Sequence, residues 1–226
     1  MNMDAALNAL RDHADPQKAK EMSIYHKVDR VYLGVSVPVI TDLALQWRTE
    51  TSVEDRIALA DGLWKTDVHE ARVAASKLLT QARIRPDEAV WELFLSWVGD
   101  FDAWAIADHA CDVGRRRLEA KPSRIEDIEP FVRNPHMWTR RAALVVTLPY
   151  ARKNFPKPQE LEIREQVLGW AADLAVDKDW FIQKAVAWWI RDLSKHDAAR
   201  TRAFLEGPGQ LLKPWAQKEA ARHLKD

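Results

Sequence analysis

Apolar residues recur at three- and four-residue spacing through most of the chain, the period of helices that bury one face. Each periodic block is closed by Pro, Gly or a cluster of Asx and Ser, so the helices are of modest length. Starts are signalled at "DPQKAKEMSIYHK", "TSVEDRIALADGLW", "RPDEAVWELFLSWV", "PSRIEDIEPFV" and "PKPQELEIREQVLGWAADLA". In each, Pro, Ser, Thr or Asp leads into an acid-bearing first turn. Roughly a dozen helices are predicted, and "GVSVP" at 34–38 reads as a turn between two of them.

A repeat emerges when "VHEARVAASKLL", "AIADHACDVG", "TRRAALVVTL", "IQKAVAWWIR" and "AQKEAARHLK" are aligned on one charged residue followed by small or apolar ones. The anchors are Arg72, Asp108, Arg141, Lys184 and Lys218, separated by 36, 33, 43 and 34 residues. That is the period of helical hairpins that bury their apolar faces against one another. The predicted fold is all-α, one α-solenoid over residues 1–226. Four anchors are basic and one is acidic, which leaves two readings of Asp108. It is a functional acid within a cationic row, or it forms a salt bridge with Arg72 or Arg141 from neighbouring repeats.

Composition narrows the class. With 226 residues, 47% of them hydrophobic, and only seven Gly, the chain can bury a real core and is not a turn-rich β protein. Lys plus Arg equals Asp plus Glu at 34 each, so no global field draws in nucleic acid or an acidic membrane. The charge is uneven, however. Residues 1–139 hold 18 basic and 23 acidic side chains (−5) and residues 140–226 hold 16 and 11 (+5), so a local basic face remains open. The single cysteine, Cys111, excludes an internal disulfide and fits a reducing compartment. The N-terminus lacks a basic segment before an apolar core, and no apolar run approaches ~18 residues. A soluble cytoplasmic protein with no membrane partner is expected. Asp108, His109 and Cys111 do not converge on one ion from consecutive helix positions, the seven His are dispersed, and no metal is expected.

Four blocks, in this order and over nearly the whole chain, carry a family resemblance. They are "MSIYHKVDRVYLGVSVP" (22–38), "WKTDVHEARVAASKLL" (64–79), "WAIAD" (104–108) with "NPHMWTRRAAL" (134–144), and "DWFIQKAVAWWIRDLSK" (179–195). The set resembles the AlkD-like DNA alkylation repair proteins, which are HEAT-like-repeat DNA glycosylases. The resemblance implies a curved solenoid with a concave basic cleft, and access to the DNA of a bacterial-type nucleoid. It carries the family's acid and first Trp onto Asp108 and Trp104, its Arg onto Arg141, its second Trp onto Trp188 and its N-terminal Tyr onto Tyr25. It further implies excision of cationic N3- or N7-alkylated purines from double-stranded DNA, by a monomer, without metal or cofactor. Family members often carry a second Asp directly after the first Trp, where this chain has Ala105.

The residues themselves suit that chemistry. A spacing of four puts the Trp104 indole and the Asp108 carboxylate on one helix face. Ala103, Ala107, Ala110 and Gly114 form an adjoining stripe on which another helix can pack closely. Positive charge builds on the deoxyribose as a cationic base departs, and a fixed carboxylate stabilises it and positions water. Trp104 and Trp188 offer π faces to sugar and lesion, and Arg141 offers a phosphate contact. Lys184 and Lys218 are weaker phosphate candidates. Arg115 and Arg116, in "GRRRLEAKPSR", are read either as DNA contacts or as a solvated helix end. Trp47, Trp64, Trp91, Trp97 and Trp170 fall at apolar helical positions and are assigned to the core. Trp188 rather than Trp189 is assigned to the site. The rival reading is a non-catalytic HEAT-like module that binds altered or branched DNA, or a protein partner.

Overall fold

A computed structural model describes residues 1–224. Fourteen α-helices form among the described residues: α1 (Met3–Arg11), α2 (Pro16–His26), α3 (Val37–Glu50), α4 (Val53–Lys65), α5 (His69–Leu79), α6 (Glu88–Trp97), α7 (Trp104–Ala120), α8 (Ile125–Ile128), α9 (Met137–Val146), α10 (Leu148–Ala151), α11 (Pro158–Leu174), α12 (Trp180–Ser194), α13 (Ala198–Glu206) and α14 (Pro214–Ala220). The five aligned anchors fall on α5, α7, α9, α12 and α14, one on each. The fold is a set of helical repeats, with one isolated parallel bridge between Val31 and Val68 as its β-type pairing among the described residues. By contacts the chain divides into two compact units, Met1–Arg117 and Leu118–Asp226.

The signalled starts have a physical basis. Asp15 caps α2 by accepting from the backbone N–H groups of Gln17 and Lys18, with Pro16 in the first turn, and Ser52 caps α4 through the N–H of Asp55. Each satisfies donors that the helix itself leaves unpaired. "PSRIEDIEPFV" forms short pieces instead of one helix, a 3-10 turn at Pro122–Arg124, α8, and a second 3-10 turn at Glu129–Arg133. Pro130 cannot donate a backbone N–H and restricts the residue before it, which stops the α-helix there.

In the first unit α3 and α4 both pack on α5, and every residue of α5 but Lys77 is buried. A Cβ on Gly114 would lie 2.7 Å from the Phe94 ring, so α6 meets α7 at the small-residue stripe. Beside it Ala107, Ala110 and Cys111 are buried, the last with no exposed surface. The five core tryptophans are 1–6% exposed. Trp64 and Trp97 stack at 4.4 Å, and the Trp64 indole donates to Asp100 at 3.0 Å. Arg117 is fully buried and donates to the carbonyls of Gln81, Ala82 and Ile84 and to Asp87. It fastens the α5–α6 connection, whereas a solvated helix end was one of the expectations for this Arg run.

In the second unit α12 is the central helix, packed on α9, α13 and α14. Trp189 is fully buried and donates to the Thr147 carbonyl, while its neighbour Trp188 is half-buried. Arg164 plays the part that Arg117 plays in the first unit, donating to the carbonyls of Tyr150 and Lys153 beside Asp197.

Candidate active site

Trp104, at the N-terminal turn of α7, stands in a cluster of aromatic and imidazole rings. Trp104 is 37% exposed and meets the edge of Tyr25, itself 67% exposed, with ring centroids 6.2 Å apart. His26 lies 5.7 Å from Trp104 and stacks on His69 at 4.8 Å, and Tyr32 stacks on His69 at 5.0 Å. Asp108 follows Trp104 by one turn of α7 and is half-buried.

This cluster is assembled by the segment that joins α2 to α3. Lys27 ends α2 in the left-handed region (φ 56°), and Gly34 turns the chain at φ 79°. A Cβ at Gly34 would lie 2.2 Å from the Asp15 carbonyl oxygen, so glycine is required there by both backbone angle and space. The Glu70 carboxylate, fully buried, accepts from the backbone N–H groups of Leu33 (2.9 Å) and Gly34 (2.7 Å). The Val31 carbonyl accepts from His69 N–H at 3.0 Å. Thus α5 holds the segment that carries Arg30 and Tyr32.

The electrostatics around the aromatic cluster are paired. Arg30, whose side chain is 1% exposed, bridges Asp102 and Asp67, the latter at 3.2 Å. Arg72 pairs with Asp67 at 3.2 Å, donates to the Trp64 carbonyl and lies 4.9 Å over the Trp64 ring. The first anchor of the repeat is therefore a structural group. Burial, then the charges of His26, Arg30 and His109, hold His69 down to about 3. Burial, then Arg30, lowers His26, and burial, then Lys77, lowers His109 to about 4 against the opposing pull of Asp112. At neutral pH these imidazoles are uncharged and the cluster is an apolar, polarisable wall.

The remaining expected residues are distributed as follows. Arg115 pairs with Asp112 at 2.6 Å, and Arg116 is exposed. In the second unit Arg141 is 2% exposed and donates to the Phe181 carbonyl at 3.1 Å. Lys184 and Lys218 are exposed, and the Lys184 ammonium stands 4.6 Å over the Trp180 ring. The structure brings Tyr25 and Trp104 together, with Asp108 on the next turn. His26, Tyr32 and His69, which complete the wall, were not marked by the sequence reading. Their signal was present in the "IYHKVDRVY" and "DVHEA" stretches, where aromatic and imidazole groups stand beside the matched Tyr and the α5 anchor. Among the described residues no group of three or more His, Cys, Asp or Glu has the arrangement to hold a metal ion, and no helix is long and apolar enough to cross a membrane.

Helical hairpins packed on small-residue stripes, with an aromatic and acid-bearing turn at the start of a repeat's second helix, define the class as helical-repeat proteins. The profile of the DNA alkylation repair enzyme family matches residues 6–224, and the chain belongs to that family. Its role is accordingly in DNA repair. Among solved structures, a protein described as a predicted DNA alkylation repair enzyme from Enterococcus faecalis superposes with a TM-score of 0.79 at 21% identity, covering 95% of this chain and 98% of that one. AlkD2 from Streptococcus mutans superposes with a TM-score of 0.63 at 16% identity, covering 93% and 99%. At these identities the likeness is one of fold. No curated protein sequence matches the chain significantly.

Proposed function

We propose that this chain is a DNA glycosylase that excises cationic N3- or N7-alkylated purines from duplex DNA. The observation that carries the reading is the exposed Tyr25–Trp104 pair, 6.2 Å apart, with Asp108 one turn further along α7. Electron-rich rings attract a cationic base and its sugar, and neutral His26 and His69 behind them add no competing positive charge. As the C1′–N bond breaks, its electron pair passes to the base, which leaves neutral and needs no general acid. Positive charge is left on the sugar. Asp108 stabilises that charge and orients the water that adds to C1′, whose proton passes to the carboxylate or to solvent. In the second unit Lys184 and Lys218, both exposed, are assigned to the DNA backbone at first encounter. Trp188 is assigned to a sugar; Arg141, 2% exposed and donating to the Phe181 carbonyl, is assigned to a phosphate of the seated strand that it reaches on turning outward.

Release of 7-methylguanine and 3-methyladenine from methylated duplex DNA tests this. Asp108→Asn is nearly isosteric and removes the charge. It is expected to slow release by roughly 10²- to 10³-fold, the range for loss of one preorganised electrostatic group, while DNA affinity holds. Absence of release by the wild type, with altered or branched DNA still bound, would assign the chain to non-catalytic recognition.

A further inference from the structure

Trp180, Lys184 and Trp188 recur every four residues along α12 and so share one face, spanning about 12 Å at 1.5 Å per residue. Trp180 is 48% exposed, and its ring lies 6.0 Å from that of Trp215 on α14, which is 38% exposed, with 32° between their planes. Half-exposed indoles in contact across two helices are costly for an unliganded surface, since each leaves a large apolar area in water.

The framework beneath them is braced. Gln183, fully buried, donates to the carbonyls of Ala175 and Asp177 and accepts from the Lys213 N–H at 2.8 Å. Lys178 donates to the Leu211 carbonyl and Lys213 to the Lys178 carbonyl. The segments leading into α12 and α14 are thereby fixed to each other, and with them the two indoles.

The charge around the rings is cationic. Lys178, Lys184, Lys213 and Lys218 form no salt bridge among the described residues, whereas the nearby acids are engaged. Asp177 pairs with Arg140, Asp179 caps α12 through the Phe181 N–H, and Glu219 pairs with Arg191. Two indoles inclined at 32°, with the Lys184 ammonium 4.6 Å over the Trp180 ring and the other lysines unpaired with acids, match a nucleotide whose base takes a ring face and whose phosphate draws the lysines. Two ring contacts of about 3.5 Å each would need about 7 Å, so at 6.0 Å no base fits between the indoles, and a base on an outer face of Trp180 takes the place of the Lys184 ammonium where that now covers the ring, the lysine turning to the phosphate.

We propose that Trp180 and Trp215, with Lys184, form a stacking ledge for an unpaired nucleotide of DNA, a subsite distinct from the Trp104–Asp108 turn. An unpaired nucleotide is the occupant because the base faces of an intact duplex are covered by their neighbours. The inference rests on the reading that the second unit contacts DNA, and does not require excision.

The test compares binding of the full chain to a fully paired duplex and to the same duplex with one unpaired thymidine, by fluorescence anisotropy. The wild type is expected to favour the bulged duplex. The W180A/W215A double variant is expected to lose roughly 5- to 150-fold in affinity for the bulge, the range for loss of one stacked base, and less than about twofold for the paired duplex. W180F/W215F keeps flat rings and is expected to retain most of the preference, which separates stacking from damage to the fold. Equal losses on both duplexes would overturn the proposal in favour of general backbone contact. Unchanged DNA binding would overturn it in favour of a protein partner at this face. A ledge that discriminates in a chain that releases no base would leave this inference standing while the glycosylase reading falls.

Discussion

Gly34→Ala is expected to undock α2 without unfolding the unit that carries it. The added Cβ would lie 2.2 Å from the Asp15 carbonyl oxygen and 2.7 Å from the Ala19 nitrogen, against a practical minimum of 3.0 Å, so at least 0.8 Å of separation (3.0 − 2.2) must be found. The turn cannot easily supply it, because Glu70 clamps the amides of residues 33 and 34 to α5. Helix α2 can, since none of its residues is buried. Holding alanine at φ 79° costs about 1–2 kcal/mol, but that cost stays with the clamped turn whether α2 is docked or open. Losing the Asp15 N–H bond to the Leu33 carbonyl weakens the docking by about 0.5–1.5 kcal/mol, a roughly 2- to 12-fold increase in the opening of α2. Native-state hydrogen exchange reads it directly: amides of residues 16–26 should exchange faster by that factor, while those of residues 69–79 keep their wild-type rates. The Tyr25–Trp104 contact should weaken with them, visible as a change in Trp104 fluorescence against a Trp104→Phe control. Unchanged exchange in α2, or equal acceleration in α5, would refute the idea that the loosening is confined to this helix.

Arg117→Met would leave three carbonyls and the Asp87 carboxylate without the guanidinium they share. Breaking one side of a buried ion pair costs about 3–5 kcal/mol, so thermal denaturation should show a fall in midpoint of roughly 6–20 °C. Acid sensitivity follows from the depressed imidazoles. Their folded values, about 3 for His69 and about 4 for His109, lie below the ordinary 6.5, so the unfolded chain binds the proton first. The stability they confer is complete above pH 6.5 and lost as pH falls toward 4, by about 1.4 kcal/mol per pH unit for each histidine. Denaturant unfolding between pH 7.5 and 4.5 should show this slope, with His69→Phe removing one proton's share. A slope identical in the variant would contradict the assignment to His69.

The helical repeat was readable because hydrophobic period, caps and breakers act locally. Asp15 with Pro16, Ser52 and Pro158 each sit where the sequence put them, and the five anchors each found a separate helix. The roles of individual charges were less readable, because they depend on partners far along the chain. Arg72 and Arg141 align with Lys184 and Lys218, yet the first two are buried on backbone carbonyls and the last two are exposed. Nothing in "GRRR" distinguishes Arg117, bonded to residues 30 to 36 positions earlier, from its more exposed neighbours. Trp180 and Trp215 escaped notice because an aromatic residue at a helix start resembles a core position until the neighbouring helix shows that its ring stays wet. The Glu70 clamp spans 36 residues and has no local signature.

Cys111 lies on α7 within the close-packed stripe and has no exposed surface. It is the only thiol in the sequence, and a thiol that solvent cannot reach does not meet electrophiles. The reagents that methylate purines also attack soft nucleophiles, and in this chain the thiol is sealed on the buried side of the same helix that presents Trp104 and Asp108. The packing that lets α6 approach α7 thus also gives the protein chemical resistance to the kind of agent that alkylates DNA.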